Sequence, residues 1–593
     1  MDPGRENTEK AENVSNVSMS EETKSYVQVH HADAAAQGFE TSADELPKNY
    51  YRSAYFIGTM IACGAAFASG VGGFALSAAI LGVINADIGP SPYLTWVAMA
   101  YTLTVAIGLL LVGRLSDLFG RRWFFISGSV FGLIGCIVCA VAQSVETLIG
   151  GTTLIGLGAA SQISVVFVTA ELVPVKHRFL ANGFVFLWAT PFTGMGPSIA
   201  YAFLVYYGSW RPCYYLMIGM NTLATACWFF FYYPPTFEMK HPGQRIKSYL
   251  LNFDIVGLFL FVGGVLIFLM GLSWGGGLYA WNSAHVLGAI IVGGAATVAF
   301  VLWEWFGNPK EPLMPLHLFK NLAWVALIFC LSISVTVYYA FAIVWPQMVF
   351  GVYETDLIRG GLLCTLVGAG TNIGQLCSGL FGRALGNHRW QFTGGCIIGG
   401  VFLGAAACCT PYNLGLTSAF VTIGSLALGY TDSIGLTMAG IAIANQEDIG
   451  TAVGIAGCVR SIVSTIGTAI YTVILSNRLA QTIPAHVPPA LISAGLPESS
   501  VADFLTAYPT GTFEGIAGLT PTILAAGVRA YKEASAKAYQ TVFLSTIAFS
   551  VVAVILALFT ANGMNMMTDD VATTLHERKT KKVVGKEGDV VEA

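Results

Sequence analysis

The chain has 593 residues, of which 55% are hydrophobic and 10% are Asp, Glu, Lys or Arg, with a formal net charge of -4. Soluble domains carry about 25% charged residues, so this composition excludes a soluble multidomain protein, and the near-neutral balance excludes a basic nucleic-acid surface. The 67 glycines suit membrane helices that pack backbone to backbone. Most of the 12 cysteines lie inside apolar runs and none forms a paired C-x-x-C pattern. They read as packing residues, so no disulfide framework, metal site or cofactor is expected.

Residues 1-50 are polar and poor in aromatics, which predicts a disordered cytosolic tail without a cleavable signal. Asn13 and Asn16 begin glycosylation sequons, and a cytosolic tail would leave both unmodified. At about 20 apolar residues per span, six helices are predicted near 55-83, 92-113, 123-142, 147-170, 180-206 and 212-233. Two more follow near 255-274 and 285-306. Six others lie near 322-350, 360-382, 391-410, 413-439, 450-476 and 541-561. The expected fold is an all-α polytopic membrane protein of 14 transmembrane helices. A six-helix bundle (51-233) is joined by a cytosolic link with two extra helices (234-321) to a second bundle (322-561), followed by a cytosolic tail (562-593). Residues 477-540 are expected as one long outer loop, a lid or a folding spacer, with an amphipathic helix over Val528-Tyr539.

Charge bias orients the chain. With both termini inside, the inner loops hold Arg114, Arg121, Arg122, Lys176, Arg178, Lys240, Arg245, Lys247, Lys310, Lys320, Arg383 and Arg389, while the outer ones hold Arg211 and Arg359. The basic run Arg578-Lys582 falls on the same inner side. Both termini are therefore expected in the cytosol.

Between spans two and three the sequence reads Gly113-Arg-Leu-Ser-Asp117-Leu-Phe-Gly120-Arg121-Arg122. This closely resembles the signature loop of the major facilitator superfamily. Its chemistry suits a latch: glycines permit tight turns, and Asp117 can accept from backbone N–H groups or a basic partner. Gly379-Leu-Phe-Gly-Arg383-Ala-Leu-Gly386 repeats the glycine spacing in the second half, with Arg383 where Asp117 stands. Parallel six-helix halves are expected of such a fold. Glu171 and Arg178, in Glu171-Leu-Val-Pro174-Val-Lys-His-Arg178, resemble a second superfamily pattern and join the expected latch. Gly196-Pro197 in span five resembles the superfamily's antiporter motif, although Ala200-Tyr201 replaces its terminal glycine pair. A Gly-Pro step loosens a helix and can serve as a pivot.

The Arg and Asp that many drug/proton antiporters carry in spans four and one are replaced by Thr152 and the stretch Ser69-Gly73. The remaining intramembrane ionisable residues are Asp432 and Arg460, each roughly 10 to 15 Å from their shared loop at 1.5 Å per residue. They are candidates for proton coupling, or for a structural pair joining two helices. Gln162, Trp188, Tyr338, Tyr339, Asn372 and Gln375 are candidate substrate-cavity residues; the helix-gluing and interfacial roles common for these types compete with that reading.

Trp96-Val-Ala-Met-Ala-Tyr101, the Gly113-Arg122 loop, Glu171-Arg178, Gly196-Tyr201 and Trp210-Arg-Pro-Cys-Tyr-Tyr215 together look like the fungal trichothecene efflux pump family. That resemblance covers nearly all of residues 50-565 and implies proton-coupled efflux of a mycotoxin, other secondary metabolite or xenobiotic across the plasma membrane. A vacuolar or vesicular membrane is the second location. Siderophore-iron/proton importers share the same plan and form the alternative, followed by a transporter-like nutrient sensor. No H-E-x-x-H or G-x-x-x-x-G-K-[ST] occurs, so neither a zinc enzyme nor an ATP-driven pump is expected. The expected partners are a small-molecule substrate, protons and the lipid bilayer, with no obligate protein partner.

Overall fold

The computed structural model describes residues 41-42, 46 and 49-575, except 92, 237-251, 277-278, 308, 355, 444-448, 509-512 and 514. Most of the N-terminal tail with its sequons, Lys240, Arg245, Lys247 and the basic run Arg578-Lys582 lie outside the described residues.

The first half comprises α1 (Ala54–Ala78), α2 (Thr95–Phe119), α3 (Arg122–Ala140), α4 (Val145–Leu172), a broken α5 (Arg178–Ala189 and Gly196–Tyr207) and α6 (Pro212–Phe231). Two helices follow, α7 (Ile255–Trp274) and α8 (Ala284–Phe306). The second half comprises α9 (Leu322–Met348), α10 (Leu357–Phe381), α11 (His388–Ala405), α12 (Leu414–Ile441), α13 (Ile449–Ser493) and α14 (Pro521–Ala557). Ser53, Ser144, Asp254, Ser283, Asn321, Asp356 and Thr520 precede seven of these helices, and each side chain accepts a first-turn N–H. These caps satisfy donors that hydrocarbon could not.

Helices occupy all fourteen expected positions, and twelve are long and apolar enough to cross a membrane. The two others are α5 and α10. Pro191 carries no N–H, and a π turn over Thr190–Gly194 divides α5 into two halves of 12 residues. Arg359, Asn372, Gln375 and six glycines dilute α10. These two helices pack on each other between the halves and so need less of a lipid-compatible surface.

The segment expected as an outer loop over 477-540 is largely helical. Helix α13 continues through Pro484, Pro488 and Pro489 to Ser493, and α14 begins at Pro521, so Val528-Tyr539 is an interior part of α14. Prolines read as breakers, but Val487 and Leu491 of α13 join Ile523 and Ala534 of α14 and Phe504 of a short intervening helix in a separate apolar cluster. That packing holds the helices together beyond the main core.

Within the first half α1 packs on α4, α5 and α6, while α4 also contacts α2 and α3. In the second half α9 packs on α12, α13 and α14. The halves meet along two seams, α2 against α13 and α5 against α10. Each seam pairs the second helix of one half with the fifth of the other, which is the relation a twofold parallel repeat requires. Helices α7 and α8 pack on each other, and α7 also contacts α2 and α13. Both described chain ends lie at the face carrying the 113-122 loop: Thr41–Ser42 pairs with Asp570–Val571, and Leu575 N–H donates to the Tyr50 hydroxyl.

Glycines set the depth of the seams. A Cβ added at Gly454 would stand 2.9 Å from the Leu109 carbonyl oxygen and 3.0 Å from Gly113 Cα. One added at Gly379 would stand 2.7 Å from Gly183 Cα. Both neighbours are backbone and cannot rotate away. Gly454→Val should therefore cost about 1–3 kcal/mol, seen as a lower thermal unfolding midpoint of the purified protein; an unchanged midpoint would mean that α2 and α13 do not need this approach.

Candidate transport site and latch

The turn after α2 decides the latch geometry. Gly120 has φ 91°, a left-handed value that strains other residues, and it reverses the chain so that Arg121 returns beneath Asp117. The Arg121 guanidinium lies 2.6 Å from Asp117 Oδ1 and 2.5 Å from Glu171 Oε1 at the end of α4. Burial opposes the Arg121 charge, but Glu171 and then Asp117 outweigh it and raise the proton affinity of the guanidinium. The second Asp117 oxygen accepts from the Thr451 N–H at 2.6 Å and from its hydroxyl at 2.9 Å. Thr451 lies in the first turn of α13, where N–H groups lack helical partners and the helix dipole is positive. Asp117 thus caps a helix of the opposite half.

Arg178 performs the complementary task at the second seam. It opens α5 and donates to the Gly440 carbonyl at 3.1 Å, in the last turn of α12, where the dipole is negative. Nearby, Asn182 Nδ2 donates to Thr437 Oγ1 at 2.9 Å, while Asn182 Oδ1 accepts from Thr169. The structure brings Asp117, Arg121, Glu171 and Arg178 to one end of the molecule, which is shut there. Arg122 stands apart: its guanidinium donates to the Phe229 carbonyl at 2.8 Å and lies 3.9 Å from the Tyr233 ring, tying α3 to α6 of its own half. Sequence reasoning missed Thr451, Asn182, Thr437 and Gly440, all common types without a motif around them.

At the broken centre of α5, the Thr190 N–H turns to the Leu187 carbonyl. The Phe186 carbonyl instead accepts from Asn372 Nδ2 at 3.1 Å, and Asn372 Oδ1 accepts from the Thr190 hydroxyl at 2.7 Å. Asn372 is therefore a fastener across the α5–α10 seam. Gly196 and Pro197 open the second half of α5, with Gly196 against Ala75 of α1.

Deeper between the halves, Asp432 and Arg460 meet. Asp432 is 1% exposed, and its two oxygens accept from Arg460 Nε at 2.9 Å and from a terminal guanidinium nitrogen at 3.0 Å. Gln375 Nε2 adds a third bond to Asp432 Oδ2 at 3.0 Å. Tyr338 and Tyr339 flank Arg460, and Tyr101 approaches from the first half. Phe74 of α1 stacks on Tyr101 at 5.3 Å and meets Tyr339 edge-on at 5.5 Å. A cavity of about 10 Å³, with room for about one water, is bordered by Ser334, Tyr338, Thr371, Ser425 and Asp432.

Of the expected cavity residues, Tyr338, Tyr339 and Gln375 gather at this pair. Gln162 does not: its Nε2 donates to Asn221 Oδ1 at 2.6 Å, joining α4 to α6 inside the first half. Trp188 is half-buried beside Gly64 of α1. Phe74 and Tyr101 were not singled out for this site; only the aromatic spacing of the Trp96-Tyr101 run hinted at the latter.

Two helical halves related by a parallel repeat, helix-terminus bonds joining them at one end, and a buried ion pair of the second half facing Tyr101 of the first make up the architecture of a major facilitator-type secondary transporter. The solved structure of the proton:xylose symporter XylE of that superfamily resembles it with a TM-score of 0.51 at 14% identity, covering 88% of this chain and 98% of the other. The sequence model described as Fungal trichothecene efflux pump (TRI12) matches residues 17–592, and the chain belongs to that family. It is 28% identical over 554 residues to "Trichothecene efflux pump TRI12" of Fusarium sporotrichioides, covering 92% of each chain. It is 32% identical over 429 residues to "MFS-type transporter prx5" of Penicillium rubens, covering 70% of this chain and 77% of the relative. The protein is a multi-pass membrane efflux transporter.

Asp117→Asn removes the charge from the α13 cap while leaving Arg121 paired with Glu171. Loss of charge-assisted hydrogen bonding should weaken the shut latch by about 1.5–3 kcal/mol and slow transport without preventing folding. Transport by reconstituted protein is the measurement; wild-type turnover would remove Asp117 from the latch.

Proposed function

We propose that this protein exports a small lipophilic molecule, a secondary metabolite or xenobiotic, in exchange for protons by alternating access. The single observation carrying this reading is the Asp432–Arg460 pair, buried between the halves among tyrosines and reached by Gln375 from α10. A charge pair at membrane depth is costly and becomes useful when one member can lose its charge. A proton taken by Asp432 from outside would weaken its hold on Arg460, letting the tyrosine-lined centre reorganise around substrate. Rocking of the halves would then pull Asp117 from the N-terminus of α13 and Arg178 from the C-terminus of α12. The Gly196-Pro197 step is the proposed pivot.

Sparse charge around the centre favours a neutral or weakly polar substrate, and the names of the relatives favour metabolite export over siderophore uptake. The proposed location is the plasma membrane, and cytosolic termini are supported by the basic end where Arg114, Arg121, Arg122 and Arg178 gather, while Arg211 and Arg359 occupy the other face.

Yeast expressing the protein should retain less of a labelled trichothecene-type toxin than control cells, and a protonophore should reverse the difference. Protonophore-sensitive uptake of a ferric siderophore, with no toxin efflux, would overturn the export reading. In vesicles, Asp432→Asn should abolish proton-driven substrate movement while substrate exchange across the membrane persists. Folding is checked with the double variant Asp432→Asn/Arg460→Gln, because the single change leaves a buried cation unpaired at about 3–5 kcal/mol. Proton-driven transport intact in Asp432→Asn would remove the coupling assignment.

A further inference from the structure

We propose that the groove along the α5–α10 seam at the latch end binds an anionic phospholipid of the adjoining leaflet. The groove encloses about 850 Å³, the scale of a cleft for a drug-sized ligand. Leu180, Phe184 and Leu187 of α5 face Leu376 and Leu380 of α10 across it. Leu180, Leu187 and Leu380 are each more than half exposed, so the walls belong to the lipid-facing surface. Hydrocarbon fills such a groove in any bilayer, and selectivity must come from its mouth.

The mouth is cationic. Lys176 and His177 line it, and Arg383 follows α10 by two residues. These groups feel one another: the His177 ring is held below its usual proton affinity by burial and then by Lys176 and Arg383, with Asp569 opposing. Lys176 pairs with Asp569, whereas exposed Arg383 has no ion-pair partner among the described residues. In this proposal a phosphate headgroup pairs with Arg383 beside the His177 ring, with its acyl chain descending along the leucines. Gly183 and Gly379, a close backbone contact of the seam, form part of the same groove. A lipid lodged there touches both halves where they would part, and so favours the shut latch.

The intact protein is reconstituted in nanodiscs of phosphatidylcholine containing a minor fraction of phosphatidylserine, and co-purifying lipid is measured by native mass spectrometry. The wild type should retain phosphatidylserine preferentially. Arg383→Gln and Lys176→Gln should each lower that preference about fivefold, the effect of one surface cation on an anionic lipid. Leu380→Trp, which fills the groove without touching the cations, should expel the tightly held lipid and serves where the charge variants fold poorly. Equal retention of both lipids, a preference unmoved by all three variants, or displacement by inorganic phosphate alone would overturn the proposal.

Discussion

Backbone contact between helices at the two seams is the constraint on which the rest depends. In a bilayer, lipid tails are as apolar as leucine, so no hydrophobic force drives one half onto the other. What remains is close packing and hydrogen bonding, and both fade quickly with distance. Gly113 against Gly450 and Gly454, and Gly183 against Gly379, bring backbones together so that short side chains can bridge the gap. Because the seams are narrow and made of few side chains, they can separate and re-form without rebuilding either half.

The charges at the latch end use that proximity economically. Asp117 and Arg178 bond helix termini of the other half, one at the N-terminal end of α13 and the other at the C-terminal end of α12. Unpaired N–H and C=O groups must be satisfied somewhere, and in the shut state the partner half supplies the satisfaction. When the halves part at this end, water can replace these partners. On the alternating-access proposal, that replacement keeps the cost of opening moderate. The seam at α5 and α10 extends the same logic to membrane depth, where Asn372 answers the carbonyl left free by the π turn beside Pro191.

The Asp432–Arg460 pair obeys a different rule, since the small cavity beside it has room for about one water and cannot rehydrate both charges. Its bidentate geometry and the extra bond from Gln375 offset the desolvation of both charges. Gln375 lies on α10, the seam helix, and Tyr101 on α2, the other. The ion pair is thereby hydrogen-bonded to one seam helix and an electrostatic neighbour of a tyrosine on the other. The proposed coupling between its charge state and the seams therefore needs no longer path than one side chain.

The amino-acid sequence by itself determined where the membrane helices lie, because a run of apolar residues long enough to cross a bilayer is a local property. It also exposed Asp117, Arg121, Glu171 and Arg178, whose spacing is set by turns only a few residues long, and Asp432 with Arg460, because charges are rare in such runs. Tertiary structure alone decided the partners. Thr451 and Gly440 are more than 250 residues from the groups they bind, and nothing in their neighbourhood distinguishes them. Gln162 and Gln375 look alike in sequence, yet one glues α4 to α6 and the other reaches the ion pair, because the rotation of each helix about its axis is fixed by packing. Likewise, prolines that would end an isolated helix remain inside α13, since α14 and the Phe504 cluster support it from outside the local chain.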